Sequence, residues 1–167
     1  MDGEGSKSND VPRHAPSERD VRLIELFFFA YRDFVHDPDR MLAGDGFGRA
    51  HHRVLHFVAR NPGITVARLL EILAITKQSL GPVLRELVDT DHLEQRPNRA
   101  DRRQRLLHVT PKGAALAERL TVLQAERVTG ALAAAEARMG PQARPAVEAF
   151  LLAMMEPEER SFVHRAA

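Results

Sequence analysis

The chain has 167 residues, 44% of them hydrophobic, enough for one compact core with an extended assembly element. Its 24 basic and 23 acidic residues leave a formal net charge of +1, so a charged surface must come from segregation and not from the total. The absence of cysteine excludes a disulfide framework, a thiolate zinc site and a thiol redox switch, and no run approaches the ~20 apolar residues that cross a bilayer.

The first residues, MDGEGSKSNDVPRHAPS, are too polar to offset their ordering entropy and lack the apolar centre of a signal peptide. They predict a flexible arm over residues 1–16 on a soluble, cytoplasmic protein. From Ser17, SERDVRLIELFFFAYRDFV starts a helix with Ser17 as its cap and Glu18 and Asp20 in the favourable first turn. Val21, Ile24, Phe27, Phe28, Tyr31, Phe34 and Val35 form a broad apolar stripe, thickened by Leu23, Leu26 and Phe29, as in a helix buried within a dimer. The Pro and Gly of HDPDRMLAGDGFG then predict a loop. A second helix is expected from about Arg49 to Arg60, stopping at Asn61-Pro62-Gly63.

The block ITVARLLEILAITKQSLGPVLRELVDTDHL reads as two helices joined by a tight turn. Thr65 caps the first, with Val66, Leu69, Leu70 and Leu73 inward; Thr76 caps the second, with Leu80, Val83, Leu84 and Leu87 inward. Leu93 to Arg96 and Leu106 to Val109 are short strands, and between them RPNRADRRQR places five arginines against one acid at the tip of a β-hairpin. Thr110-Pro111 opens a long helix to about Met139, closed by Gly140-Pro141, and a last helix runs through AVEAFLLAMM.

A helix-turn-helix followed by a basic hairpin is a winged helix, whose second helix can enter a major groove while the wing follows the backbone or a minor groove. Thr76, Lys77, Gln78, Ser79 and Arg85 are the recognition-helix candidates, and Arg99, Arg102, Arg103 and Arg105 the wing candidates.

On these residues the chain from Ser17 onward resembles the MarR family of bacterial transcriptional regulators. The most specific stretch is DRRQRLLHVTPKG, in which Asp101, Arg103, Thr110 and Gly113 match the family's wing signature. The resemblance implies a mainly α fold with a small β-hairpin wing, in which Asp101 and Arg103 shape the wing. It also implies a homodimer joined by its first and last two helices; such a dimer is expected to bind double-stranded DNA at a pseudo-palindromic operator, with repression the default outcome of occupying a promoter. The chain then divides into the arm, a dimerisation helix and loop over 17–47, a DNA-binding domain over 48–110 and dimerisation helices over 111–167. A small, often aromatic or acidic, effector is implied too, in a cleft for which Phe28, Arg32, His52 and His56 are candidates. Three residues depart from the family's pattern: Pro82 inside the recognition helix, predicting a bend or a lost phosphate contact, and Asp91-His92 in place of Gly-Leu after it.

Two other readings compete. His52 and His56, four apart, could belong to a metal-responsive site, but no Asp or Glu within their helix completes it, so no metal or cofactor is assigned. A winged helix used for protein assembly predicts an apolar or acidic wing, which five arginines oppose. No phosphate loop, nucleophile elbow or HExxH motif suggests an enzyme.

Overall fold

A computed structural model describes residues 15–163. The expected arm falls almost wholly on residues 1–14, outside the described residues. The chain forms two units, Met1–Asp33 and Phe34–Ala167.

The first helix, α1, spans Glu18–Ala43 and begins as its sequence requires. The Ser17 hydroxyl accepts from the Asp20 N–H at 3.3 Å, and the Asp20 carboxylate accepts from the Ser17 N–H at 2.9 Å, closing a reciprocal cap. In the first unit, Leu23, Ile24, Leu26, Phe28, Phe29 and Tyr31 are exposed.

The loop expected from His36 onward is instead helix, because α1 continues through Pro38 to Ala43. Val35, Pro38 and Leu42 recur at helical spacing and are buried. Burying two aliphatic side chains, at about 1.5–3 kcal/mol each, offsets the roughly 3 kcal/mol that an internal proline costs. The helix ends in a Schellman turn: Phe47 N–H donates to Leu42 O at 3.0 Å and Gly46 N–H to Ala43 O at 3.2 Å, with Gly46 left-handed at φ 75°. Leu42 and Phe47 both enter the core.

The remaining elements of the second unit are α2 (Arg49–Arg60), β1 (Ile64–Thr65), α3 (Val66–Leu73), α4 (Lys77–Asp89), β2 (Leu93–Pro97), β3 (Arg105–Val109), α5 (Pro111–Met139) and α6 (Ala143–Met154), then a 3-10 turn at Glu159–Phe162. Thr65, Thr76 and Thr110 each accept an N–H three residues on, from Arg68, Ser79 and Gly113. All three caps were legible as hydroxyls before apolar runs. Leu69, Leu73, Leu80, Leu84 and Leu87 are buried as expected, while Val66, Leu70 and Val83 are half-buried.

Two hairpin strands were expected, and the sheet has a third. The order is β1-β3-β2, all antiparallel, with Ile64 opposite Leu107 and Leu93 opposite Val109. Two residues are too short a run to show an alternating pattern, which is why β1 escapes sequence reading.

Candidate nucleic-acid interface

On α4, Leu80, Leu84 and Leu87 pin one face to the core, so the 3.6-residue repeat turns Gln78, Pro82, Arg85 and Asp89 outward as a single stripe. All four are exposed, as are Lys77 and Ser79. Thr76 is committed to capping: its Oγ1 accepts from the Ser79 N–H at 3.2 Å and meets Ser79 Oγ at 3.0 Å. Lys77, Gln78 and Arg85 therefore carry the polar groups free to reach outward, beside the partial positive charge of the helix start. Pro82 does not break α4, which is continuous from Lys77 to Asp89. The Gln78 carbonyl that it deprives of a donor lies on the exposed side, where water can satisfy it.

The wing is built by side chains that imitate backbone turns. Strand pairing ends at Pro97 opposite Arg105, and Asn98 N–H donates to Gln104 O at 3.1 Å to close the loop. Asn98 Oδ1 accepts from Ala100 N–H and Asp101 Oδ1 from Arg103 N–H, each at 3.0 Å, forming two successive Asx turns. Asp101 and Arg103 thus meet through the main chain of Arg103. Its guanidinium forms no ion pair among the described residues, nor do those of Arg99, Arg102 and Arg105.

Arg99, Arg102 and Arg105 surround a concavity of about 690 Å³ with Pro97 and Asn98. Arg96 and Arg105 stand on the strands and not at the tip, and Arg96 is neutralised by Glu94 on its own strand. The free positive charge of the wing is therefore four arginines, not five.

Helix and wing are joined by a second Schellman turn. His92 N–H donates to Leu87 O at 2.8 Å and Asp91 N–H to Val88 O at 3.0 Å, with Asp91 left-handed at φ 59°. His92 takes the apolar position of that motif. It is buried, edge-on to Phe47 at 5.0 Å, with Nδ1 2.9 Å from Thr90 Oγ1. The Thr90 hydroxyl already donates to Glu86 O, so Nδ1 carries the imidazole proton. Burial, then the Lys112 charge, push the His92 pKa down, against weaker opposing effects of Asp45 and Asp91.

The start of α5 locks this junction. Thr110 N–H donates to His92 O at 3.1 Å, the Thr110 hydroxyl to Asp91 O at 2.6 Å, and Lys112 Nζ to Thr90 O at 2.8 Å, a cation at the carboxyl end of α4. The sequence reading missed Lys112, Asn98 and Gln104; the Asx-turn propensity of Asn98 was the available signal.

Of the four residues assigned to an effector cleft, two lie in each unit. Phe28 and Arg32 lie in the first unit, exposed, with the Arg32 guanidinium 4.9 Å from the Phe29 ring centre. In the second unit His52 is buried, and burial first, then His56, push its pKa down while Asp39 opposes them. His56 lines a concavity of about 650 Å³ with Arg53, Phe57, Arg60, Ile72 and Phe162. No three metal-ligating side chains come together among the described residues.

A tri-helical core whose second helix-turn-helix member turns a polar stripe outward, followed by a basic β-hairpin, defines a winged helix-turn-helix of the DNA-binding kind. Sequence and fold comparisons agree. The MarR family profile matches residues 45–104. The helix-turn-helix transcriptional regulator PetP of Rhodobacter capsulatus is 49% identical over 137 residues, covering 82% of this chain and 80% of that protein. A mutant MarR from E. coli complexed with operator DNA superposes with a TM-score of 0.63 at 20% identity, over 81% of this chain and 95% of that one. The transcriptional repressor CouR bound to a 23-mer DNA duplex gives 0.61 at 24% identity, over 80% and 89%. At those identities the two structures share the fold. The chain belongs to the MarR family of transcriptional regulators.

Proposed function

We propose that this protein is a cytoplasmic, non-enzymatic homodimeric repressor that reads a pseudo-palindromic operator with the outer stripe of α4 and anchors it with the wing. The observation that carries this reading is the wing, where Arg99, Arg102 and Arg103 in the loop and Arg105 at the start of β3 stand exposed with no acid paired to them among the described residues. Such unpaired guanidiniums bind phosphates or a narrow minor groove, and each phosphate neutralised releases counterions. Among the described residues no helix is long and apolar enough to cross a membrane.

Dimerisation accounts for apolar residues that a single chain leaves uncovered. In the first unit these are Leu23, Ile24, Leu26, Phe28, Phe29 and Tyr31 of α1; on α6 they are Val147, Phe150, Leu151 and Met154. The domain division into a DNA-binding lobe over 48–110 flanked by dimerisation helices follows from that assignment.

An acidic or aromatic effector fits the concavity of Arg53, His56, Phe57 and Arg60, whose two arginines outnumber its one acid, Glu159. By shifting the spacing of two recognition helices it would release DNA.

The test is selection of bound duplexes from a random pool, followed by salt titration on the winning sequence. A two-fold-symmetric motif and a steep salt slope are expected, and Gln78→Ala costs ~1–3 kcal/mol at particular base positions. No enriched motif, with weak binding indifferent to salt, refutes the reading.

A further inference from the structure

His51 makes contacts that neither helix capping nor core packing requires together. It is the third residue of α2, and its Nδ1 accepts the Gly48 N–H at 3.1 Å, the part a Glu or Gln plays in a capping box. An Nδ1 that accepts leaves the proton on Nε2, and Nε2 lies 2.9 Å from Glu86 Oε2 on α4. The ring is held flat against Phe47, centroids 4.7 Å apart and planes 13° from parallel, and its side chain is only 12% exposed. Phe47 in turn meets His92 edge-on, so the same stack reaches the junction of α4 with the wing.

Glu86 needs such a partner. On α4 it lies about 80° round from Gln78 and about 100° from Arg85, on the rim of the outward stripe. The positions three and four away are Pro82, Val83, Asp89 and Thr90, none a cation, so its own helix offers no pairing. Left to itself, the carboxylate would be a negative charge beside a surface meant for phosphates.

We propose that His51 is the positioning residue of the recognition helix: as its Nε2–H tautomer it latches Glu86 to the start of α2, fixing the rotation of α4 about its axis and holding the carboxylate off the reading face. This rests on α4 being the helix that reads bases. His51 touches no DNA in this scheme; it selects which side chains α4 presents.

Two substitutions separate the two ends of the ring. His51→Asn keeps an oxygen where Nδ1 accepts from Gly48 but does not reach Glu86, whereas His51→Gln keeps a donor at the reach of Nε2. On the full-length protein, His51→Asn weakens affinity for the selected operator about tenfold, Glu86→Ala, which also removes the carboxylate, weakens it less, and the double variant binds as Glu86→Ala does, as one interaction requires. His51→Gln stays within about threefold of the unaltered protein, and the duplexes selected by His51→Asn differ in motif. Long-range nitrogen–proton NMR of the free protein shows His51 protonated at Nε2 and bare at Nδ1. Equal binding by His51→Asn and the unaltered protein, equal loss in Asn and Gln variants, additive losses in the double variant, or an Nδ1–H tautomer each overturns the latch. Gln78→Ala is the control on the premise: if it binds as the unaltered protein does, the reading of α4 fails with the latch; if it weakens binding while His51→Asn does not, the latch alone fails.

Discussion

Adding one methyl group at Gly113 is expected to unlock the wing from the body of the lobe. A Cβ built there lies 1.9 Å from the carbonyl oxygen of His92, 2.8 Å from its carbon and 3.2 Å from its Cα, all backbone atoms that no side-chain rotation can move. The start of α5 and the start of β2 must part by about 1 Å to reach even the tightest tolerated contact. That displacement breaks the 3.1 Å bond from Thr110 N–H to His92 O and slackens the two that lie beside it, from the Thr110 hydroxyl to Asp91 O and from Lys112 to Thr90 O. Overpacking of about 1–3 kcal/mol and one lost buried hydrogen bond of about 1 kcal/mol place Gly113→Ala near 3 kcal/mol of destabilisation. For a protein of this size that corresponds to a Tm lower by roughly 6–12 °C. Thermal melts and urea midpoints read it directly. A Tm within about 2 °C of the unaltered protein would refute the close approach as the reason for glycine at this position.

At the wing tip, Asp101→Ala removes the acceptor for Arg103 N–H and weakens operator binding several-fold, while Asp101→Asn keeps the turn and the affinity; equal behaviour of the two would show that the Asx turn is immaterial. Arg103→Ala leaves that turn in place, because its bond is to the main chain, and lowers the magnitude of the slope of log affinity against log salt by about 1.8, about 0.9 for each of the two wings of a dimer; an unchanged slope places the guanidinium away from phosphate. Ala74, left-handed at φ 51° between α3 and α4, carries a strain that Ala74→Gly relieves, raising stability by about 0.5–1 kcal/mol as a higher urea midpoint; a lower midpoint refutes this. His52 and His92 have folded pKa values below 6.5, so the unfolded chain binds more protons and stability is lost as pH falls below about 6.5, through the folded values. Titrating the urea midpoint from about pH 8 to about pH 5.5 should show this loss, and His92→Leu should reduce it; an unchanged pH dependence in that variant removes His92 as a contributor.

The elements that sequence makes legible are those specified by one local signal. Thr65, Thr76 and Thr110 stand as hydroxyls before apolar periodicity, and each caps its helix. Pro38 misleads for the same reason: a proline is a strong local stop, and only tertiary burial of Val35 and Leu42 carries the helix past it. Strand β1 is invisible because its two residues acquire their character from Leu106 and Leu107, some forty positions away. At the site, charge was legible and its pairing was not. The count of arginines in the wing says nothing of Glu94 claiming Arg96, nor does the HHRVLHF stretch say that His51 faces Glu86 while His52 is buried.

Asp91 and His92 build the turn after α4 with chemistry other than the family's Gly-Leu. The turn after α4 asks for a left-handed residue and then an apolar one, which Gly and Leu supply without further help. Aspartate adopts the left-handed conformation at a modest cost because it is among the few side chains that tolerate it. Imidazole fills the apolar place only while neutral, its flat ring meeting Phe47 and its Nδ1–H satisfied by Thr90. The substitution therefore preserves the geometry of the turn but makes its packing depend on protonation, since a proton added to His92 would be buried near Lys112. Because the same turn fixes where β2 leaves α4, a change in His92 charge acts on the wing and on α4 together.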